Sequence, residues 1–213
     1  MSGDRLRDRL LERAQRAGFT LIGQALDQLE TYFALLARWN KRINLTAFSL
    51  DTPTDQAIDR LLVEPLVAAN HVQDAAANWY DIGSGGGSPA IPMRVLLPST
   101  KLTLVETRSR KAAFLREAAR EIKMPDVIVI GDRFETVANR LDLSGSAALI
   151  TARAVRTDAA FFSSVGSLAN SGAQLMLFAT KGSAPSQCEL FSFSRAVGLI
   201  PGSEAELMLY TRR

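Results

Sequence analysis

The segment Asp81-Ile-Gly83-Ser-Gly85-Gly-Gly87-Ser-Pro-Ala-Ile-Pro92 constrains the fold more than any other stretch of the chain. It follows a short apolar run, Trp79-Tyr-Asp-Ile82, and leads into a helical pattern over Pro89–Leu97. Glycines at such a point let the backbone turn sharply and approach a ligand with no Cβ in the way. A flexible linker would not be locked between an apolar strand and a proline-started helix. The segment therefore reads as the first strand-to-helix loop of an open α/β sheet, at the carboxyl edge where ligands bind.

The remaining chain agrees with that reading. Further short apolar runs, Lys101–Glu106, Val127–Ile130, Ala147–Ile150 and Gln174–Phe178, have the texture of buried parallel strands. Between them, 108–123, 135–140 and 157–170 can each supply the crossover helix of a right-handed βαβ unit. Segments around Leu190–Phe193 and Glu206–Thr211 are expected to add edge strands and complete a seven-stranded sheet. Ahead of the sheet, residues 4–17, 23–39 and 54–69 read as helices. In the second, Leu26, Leu29, Phe33, Leu36 and Trp39 recur at spacings of three or four and must pack on something. Thr54 or Asp51 can cap the third. The expected organisation is a helical lobe over 1–72 and an α/β domain over 73–213, with a mostly parallel sheet.

Composition narrows the chemistry. With 213 residues, 47% hydrophobic and 22% charged, the chain can bury a full core. Its charged N-terminus lacks the apolar stretch of a signal peptide, and no run approaches the ~20 apolar residues of a membrane span. A cytoplasmic protein with no membrane partner is expected. The lone cysteine, Cys188, and lone histidine, His71, cannot furnish a clustered zinc site, so no metal is expected. Net charge is only +3, yet Arg108, Arg110, Lys111, Arg116, Arg120 and Lys123 crowd one helical stretch. Such a run suits an anionic partner or simply a solvated helix face.

Glu106 stands at the end of the second strand, nineteen residues beyond Gly87, where an acid can accept hydrogen bonds from the ribose hydroxyls of an adenosine-bearing ligand. Two ligand classes compete for such a site. A dinucleotide cradle normally spaces its glycines G-x-G-x-x-G, whereas Gly83, Gly85 and Gly87 give G-x-G-x-G. Asp81 would repel a pyrophosphate but suits the cationic groups of S-adenosylmethionine. The methyl donor is favoured, with a nicotinamide-dependent oxidoreductase as the alternative.

The ordered motifs resemble those of the bacterial small-subunit rRNA guanine-N7 methyltransferases, the glucose-inhibited division protein B family. Trp39-Asn40-Lys41-Arg-Ile-Asn44-Leu45-Thr46 is similar to the family's W-N-K-x-x-N-L-T signature, and Asp81–Pro92 to its glycine loop. Glu106 with Arg110-Lys111-Ala-Ala-Phe114-Leu115, then Arg133-Phe134-Glu135, Ala152-Arg153-Ala154 and Lys181-Gly182, follow in the family's order. The resemblance implies a Rossmann-like class I methyltransferase with an N-terminal helical extension, acting on a guanine of 16S rRNA in the small ribosomal subunit; a monomer is expected. It implies donor contacts from Gly83, Gly85 and Ser88, from Glu106 to the ribose, from Phe134 and Glu135 near the adenine, and from Arg153 at the mouth. Arg153 would also orient the RNA. Lys41, Arg42, Arg156 and Lys181 are the further candidates for RNA contact, because phosphate contacts supply most non-specific affinity. Trp39 and Asn44 are expected to be structural, packing the lobe and capping a turn.

The chain departs from the family's pattern in places. Asp59-Arg60-Leu-Leu-Val63-Glu64-Pro65 stands where an arginine-histidine pair followed by D-S is usual, and Ser88 and Ala90 replace a bulky residue and a glycine. The altered helix bears on the acceptor more than on the donor, so a class I methyltransferase with another acceptor is the second reading.

Overall fold

Side chains alternate across the sheet with a period of two, and that alternation sorts the core into two halves. The computed structural model describes residues 3–74, 77–183 and 188–213. Strands β1 (Asn78–Ile82), β2 (Lys101–Val105), β3 (Val127–Ile130), β4 (Ala147–Arg153), β5 (Ala169–Thr180), β6 (Phe191–Gly198) and β7 (Ala205–Arg212) form one sheet in the order β3-β2-β1-β4-β5-β7-β6. The first five strands are mutually parallel, and β7 runs antiparallel to both β5 and β6. Trp79, Leu102, Leu104, Leu149, Met176 and Leu209 face one core. Their neighbours Tyr80, Ile82, Val105, Ile150, Leu175 and Tyr210 face the other.

Helices α1 (Gly3–Arg16), α2 (Gly23–Asn40), α3 (Asp55–Ile58), α4 (Glu64–Ala69), α5 (Ala90–Leu96) and α6 (Ser109–Glu121) supply apolar side chains to the first core. Helices α7 (Phe134–Ala138) and α8 (Ala159–Leu168) cover the second. The stripe on α2 is buried at Leu26, Leu29, Phe33 and Leu36, and half-buried Trp39 meets Phe114 of α6 edge-on at 5.8 Å. At about 1.5–3 kcal/mol for each large apolar side chain buried, this stripe binds the N-terminal helices firmly to the sheet layer.

Two expectations from the sequence are refined. Of the two C-terminal strands only β6 lies at the edge, while β7 is inserted between β5 and β6. Leu207, Met208, Leu209 and Tyr210 are all buried, so β7 needs cover on both faces, whereas most of β6 is exposed and tolerates an edge. The third helix is continuous in path but opens into a π turn over Asp59–Val63 between α3 and α4. Pro65 follows that turn, has no N–H to donate to Leu61, and its ring would crowd that carbonyl in a regular helix. The widened turn takes up the misfit. Thr54 caps α3, its Oγ1 accepting from the Ala57 amide at 3.2 Å.

The strand order reverses between β1 and β4, which opens a crevice at their carboxyl ends. Loops after β1, β2 and β4 all arrive there. No helix among the described residues is long and apolar enough to cross a membrane.

Candidate functional site

A cleft of about 430 Å³ occupies that crevice. Its floor is the loop after β1, where Gly83, Gly85 and Gly87 take φ values of +72°, +54° and +88°. Only glycine enters that region without strain. The loop is held from several sides. Val105 carbonyl accepts from the Gly83 and Ser84 amides at 2.9 and 3.0 Å, and Ser84 carbonyl accepts from the Gly87 amide at 2.7 Å. From the helical layer, the Tyr32 hydroxyl donates to Gly86 carbonyl at 2.6 Å. A Cβ on Gly86 would stand 3.2 Å from Leu45 carbonyl and 3.3 Å from Leu36 Cδ1, so α2 and the 41–46 turn press directly on the loop.

Glu106 lines the cleft beside the glycines. Its Oε2 accepts from the Gly85 amide and its Oε1 from the Arg108 amide, each at 2.8 Å. Each carboxylate oxygen keeps a second lone pair, so the acid can still accept from a diol. Asp81 lies behind the loop, 1% exposed, where Thr151 Oγ1 donates to its Oδ1 at 2.6 Å. Trp79 Nε1 donates to the same threonine oxygen at 2.8 Å and fixes its orientation. Asp81 Oδ2 is buried with no hydrogen-bond partner. Burial pushes this carboxyl up to about 6, against the hydrogen bond from Thr151. Asp81 thus ties the end of β1 to β4 beside the start of the loop.

Arg153, expected at the mouth, is instead seated in the wall with its side chain 9% exposed. Its guanidinium donates to Glu64 Oε2 at 2.9 Å, to Arg60 carbonyl at 2.5 Å and to Ser88 Oγ at 3.3 Å, and lies 4.2 Å from the centre of the Phe178 ring. Arg60 also holds Glu64 at 2.9 Å. Desolvation draws Arg153 below the usual guanidinium range, and Glu64 opposes that shift. A cation so deep requires a buried anion, which is why it turns toward α4 rather than toward solvent. The next residue, Ala154, lines the cleft at φ +56°, an uncommon conformation for a residue with a Cβ.

The structure therefore gathers Gly83, Gly85, Ser88, Glu106 and Arg153 into one cleft with Asp81 at its back. It does not gather the rest. Phe134 packs edge-on against Phe161 at 5.9 Å in the second core, and exposed Glu135 lies in the first turn of α7, both after the carboxyl end of β3 and outside the cleft lining. Lys41 pairs with Asp51 at 2.8 Å and Arg156 with Asp158 at 3.1 Å, while Lys181 sits exposed on the turn after β5. Arg42 lines a different cleft. The turn expected to be capped by Asn44 is capped by Asn40, whose Oδ1 accepts from the Leu45 and Thr46 amides at 2.9 and 3.0 Å, while Asn44 is exposed.

Sequence reasoning passed over Tyr32, Arg60 and Glu64, which shape the site from the helical layer. Tyr32 follows no motif. Arg60 and Glu64, four residues apart, fall within the segment that departs from the family pattern, and that spacing alone marks a shared helix face. Arg108 and Lys111, read only as part of a charge run, line the cleft. Among the described residues no group of three His, Cys, Asp or Glu side chains could hold a metal ion.

Structural likeness extends to the S-adenosylmethionine-dependent methyltransferase of Aquifex aeolicus, with TM-score 0.54 at 12% identity over 72% of this chain and 90% of that one. It extends also to the putative methyltransferase yhhF of Escherichia coli, with TM-score 0.53 at 13% identity over 65% of this chain and 78% of that one. These establish the class I methyltransferase fold. The chain is 35% identical over 129 residues to Ribosomal RNA small subunit methyltransferase G of Ectopseudomonas mendocina, covering 61% of this chain and 59% of the relative. It is 38% identical over 146 residues to the protein of the same name from Chloroflexus aggregans, covering 68% of this chain and 60% of the relative. It spans about three-fifths of the length of the curated relatives it matches. Residues 25–195 match the family model GidB, described as rRNA small subunit methyltransferase G. Matched over most of its length by that model, the chain belongs to the GidB family of rRNA small subunit methyltransferases G.

Proposed function

We propose that this chain transfers a methyl group from S-adenosylmethionine to N7 of a guanine in 16S rRNA of the small ribosomal subunit. The observation that carries the reading is the cleft at the strand-order reversal, where a glycine loop and Glu106 converge, with the Asp81 carboxyl buried nearby at the end of β1. A cationic donor fits that set. The loop glycines leave room for close approach, Glu106 can accept from a ribose diol, and the negative field of Asp81 behind the loop favours an ammonium or sulfonium over a pyrophosphate. Bound there, the donor supplies an activated methyl group.

The protein's own part is positional. Guanine N7 has a lone pair and no proton, so attack needs alignment and desolvation rather than a general base. Arg153, braced by Glu64 and Phe178, fixes Ser88 and the wall of the cleft against which the acceptor would be aligned. Arg108 and Lys111 add positive charge on the β2 side of the cleft. Phe134 and Glu135, after the carboxyl end of β3, remain the candidates for the adenine side. The family membership, the printed names of the relatives and this lining together support the reading. Residues 73–213 would form the donor-binding domain and 1–72 the lobe that props its loop, in a monomer working in the cytoplasm.

The test is transfer of labelled methyl to 16S rRNA, free or within small subunits, from cells lacking this gene, with the product identified by mass spectrometry. Label in 7-methylguanosine at a single position is the expected result. Donor binding without label in RNA would leave the cofactor and overturn the substrate.

A further inference from the structure

Away from the donor cleft, the end of α2 and the turn after it face the first turn of α6 across a second cleft of about 320 Å³. Five residues line it: Arg38, Trp39, Arg42, Ile43 and Arg110. Three arginines thus share the lining with one half-buried tryptophan, and no carboxylate is among the lining residues. Arg38 is engaged by Glu117 at 2.6 Å, whereas Arg42 and Arg110 stand in no ion pair among the described residues and are exposed. Uncompensated like charge held close together is unfavourable, so the arrangement suits an anion arriving from outside. The volume lies at the small end of ligand sites and suits a single nucleotide.

We infer that this cleft is a second RNA subsite, taking one unpaired nucleotide of the substrate with its phosphate between Arg42 and Arg110 and its base on Trp39; the inference rests on RNA being the acceptor. Unpaired bases are gripped by stacking on aromatic rings and guanidinium planes, and their phosphates by arginine. An acidic peptide would satisfy the arginines but leave the indole unused. Position argues the same way. Arg108 and Lys111, which flank Arg110 in sequence, line the donor cleft, and so do Leu36 and the Leu45–Thr46 turn, which flank Trp39 and Ile43. A strand anchored on Trp39 therefore lies one helical turn from the donor cleft. Lys41 and Arg156, both paired with carboxylates, are not needed for this grip.

Salt dependence separates the two parts of the grip. With a fluorescein-labelled single-stranded oligoribonucleotide of ten mixed bases, anisotropy gives the dissociation constant between about 50 and 200 mM salt. Losing two phosphate contacts in the double variant Arg42→Ala/Arg110→Ala flattens the log–log slope by about 1.4, with affinity falling at least tenfold at low salt. Trp39→Leu is expected to weaken binding about tenfold at every salt concentration while leaving the slope unchanged, as loss of stacking does. S-adenosylmethionine binding and the melting temperature of the arginine double variant should equal wild type, because neither arginine touches the donor cleft or the core. The arginine variant keeps the test decisive if Trp39→Leu loses packing on Phe114.

Unchanged slope and affinity in the double variant, with methyl transfer to RNA intact, would overturn the subsite and leave the proposed function standing. Binding that depends on these residues, with no methyl ever transferred to RNA, would overturn the function and leave the subsite. Polyglutamate competing as well as RNA of equal charge, with Trp39→Leu indifferent, would overturn the nucleotide assignment in favour of an acidic protein partner.

Discussion

Replacing Gly87 by alanine tests how far the glycine loop is dictated by its surroundings. Gly87 has φ +88°, and a Cβ built there would fall 2.5 Å from Ile91 Cδ1, 3.1 Å from Ile91 Cγ1 and 3.3 Å from Leu115 Cδ2. Two separate costs follow. A side chain in the left-handed region costs about 1–2 kcal/mol. Forcing a methyl into a packed core costs a further ~1–3 kcal/mol, and Ile91 and Leu115 are both fully buried with little room to retreat. Together the loss is about 2–5 kcal/mol, or a fall in Tm of roughly 4–20 °C for a chain of this length. Urea unfolding of the donor-free protein measures it, and donor affinity should fall in parallel as the loop is displaced. Ile91→Val removes the nearest atom and by itself costs about 0.5–1.5 kcal/mol. In the double variant the severest contact is gone while the tighter-than-normal contacts at 3.1 and 3.3 Å and the backbone part stay, so the combined loss should fall short of the sum of the two single losses by about 1 kcal/mol. Gly87→Ala within about 0.5 kcal/mol of wild type, or strict additivity with Ile91→Val, would refute the reasoning.

Three further outcomes are expected. Tyr32→Phe removes the hydroxyl that donates to the half-buried Gly86 carbonyl, costing about 0.5–1.5 kcal/mol in urea unfolding, and should weaken donor binding with little effect on RNA affinity; an unchanged donor affinity would show that the loop keeps its shape without α2. Asp81, held near 6 against a usual 3.8, favours its protonated form in the folded state. Its contribution to stability is therefore complete below about pH 4 and is lost as pH rises through about 6, a change worth up to ~3 kcal/mol. Relative to Asp81→Asn, the donor-free wild type should lose stability over that window, and parallel pH curves would contradict the burial argument. Arg153→Ala should lower methyl transfer about a hundredfold with donor affinity largely kept, because it positions rather than reacts; full turnover would remove it from the scheme.

Much of the donor side was legible beforehand because it is built from consecutive residues. Gly83, Gly85 and Gly87 declare a left-handed backbone by their identity, and Glu106 declares the end of β2 by following an apolar run. The acceptor side was less legible, since its groups are partnered across the chain. Arg153 looked like a residue of the mouth, and only its ion pair with Glu64, 89 positions away, shows it built into the wall. Asn40 rather than Asn44 holds the 41–46 turn because hydrogen-bond direction depends on how the chain leaves α2, which identical residue types four apart do not reveal.

What the amino-acid sequence alone determined, then, is the set of local conformations: period-two strands, amphipathic helices, and a loop that only glycine can make. Those follow from steric limits and apolar spacing within a few residues. Tertiary structure decided the rest. It put β7 inside the sheet, the Asp81 carboxyl against Thr151 of β4, Tyr32 against Gly86, and Trp39 among three arginines. Each depends on burial and on the choice of a distant partner. Both are settled when the whole core packs, because a buried charge or hydroxyl takes whichever partner the packing brings within reach.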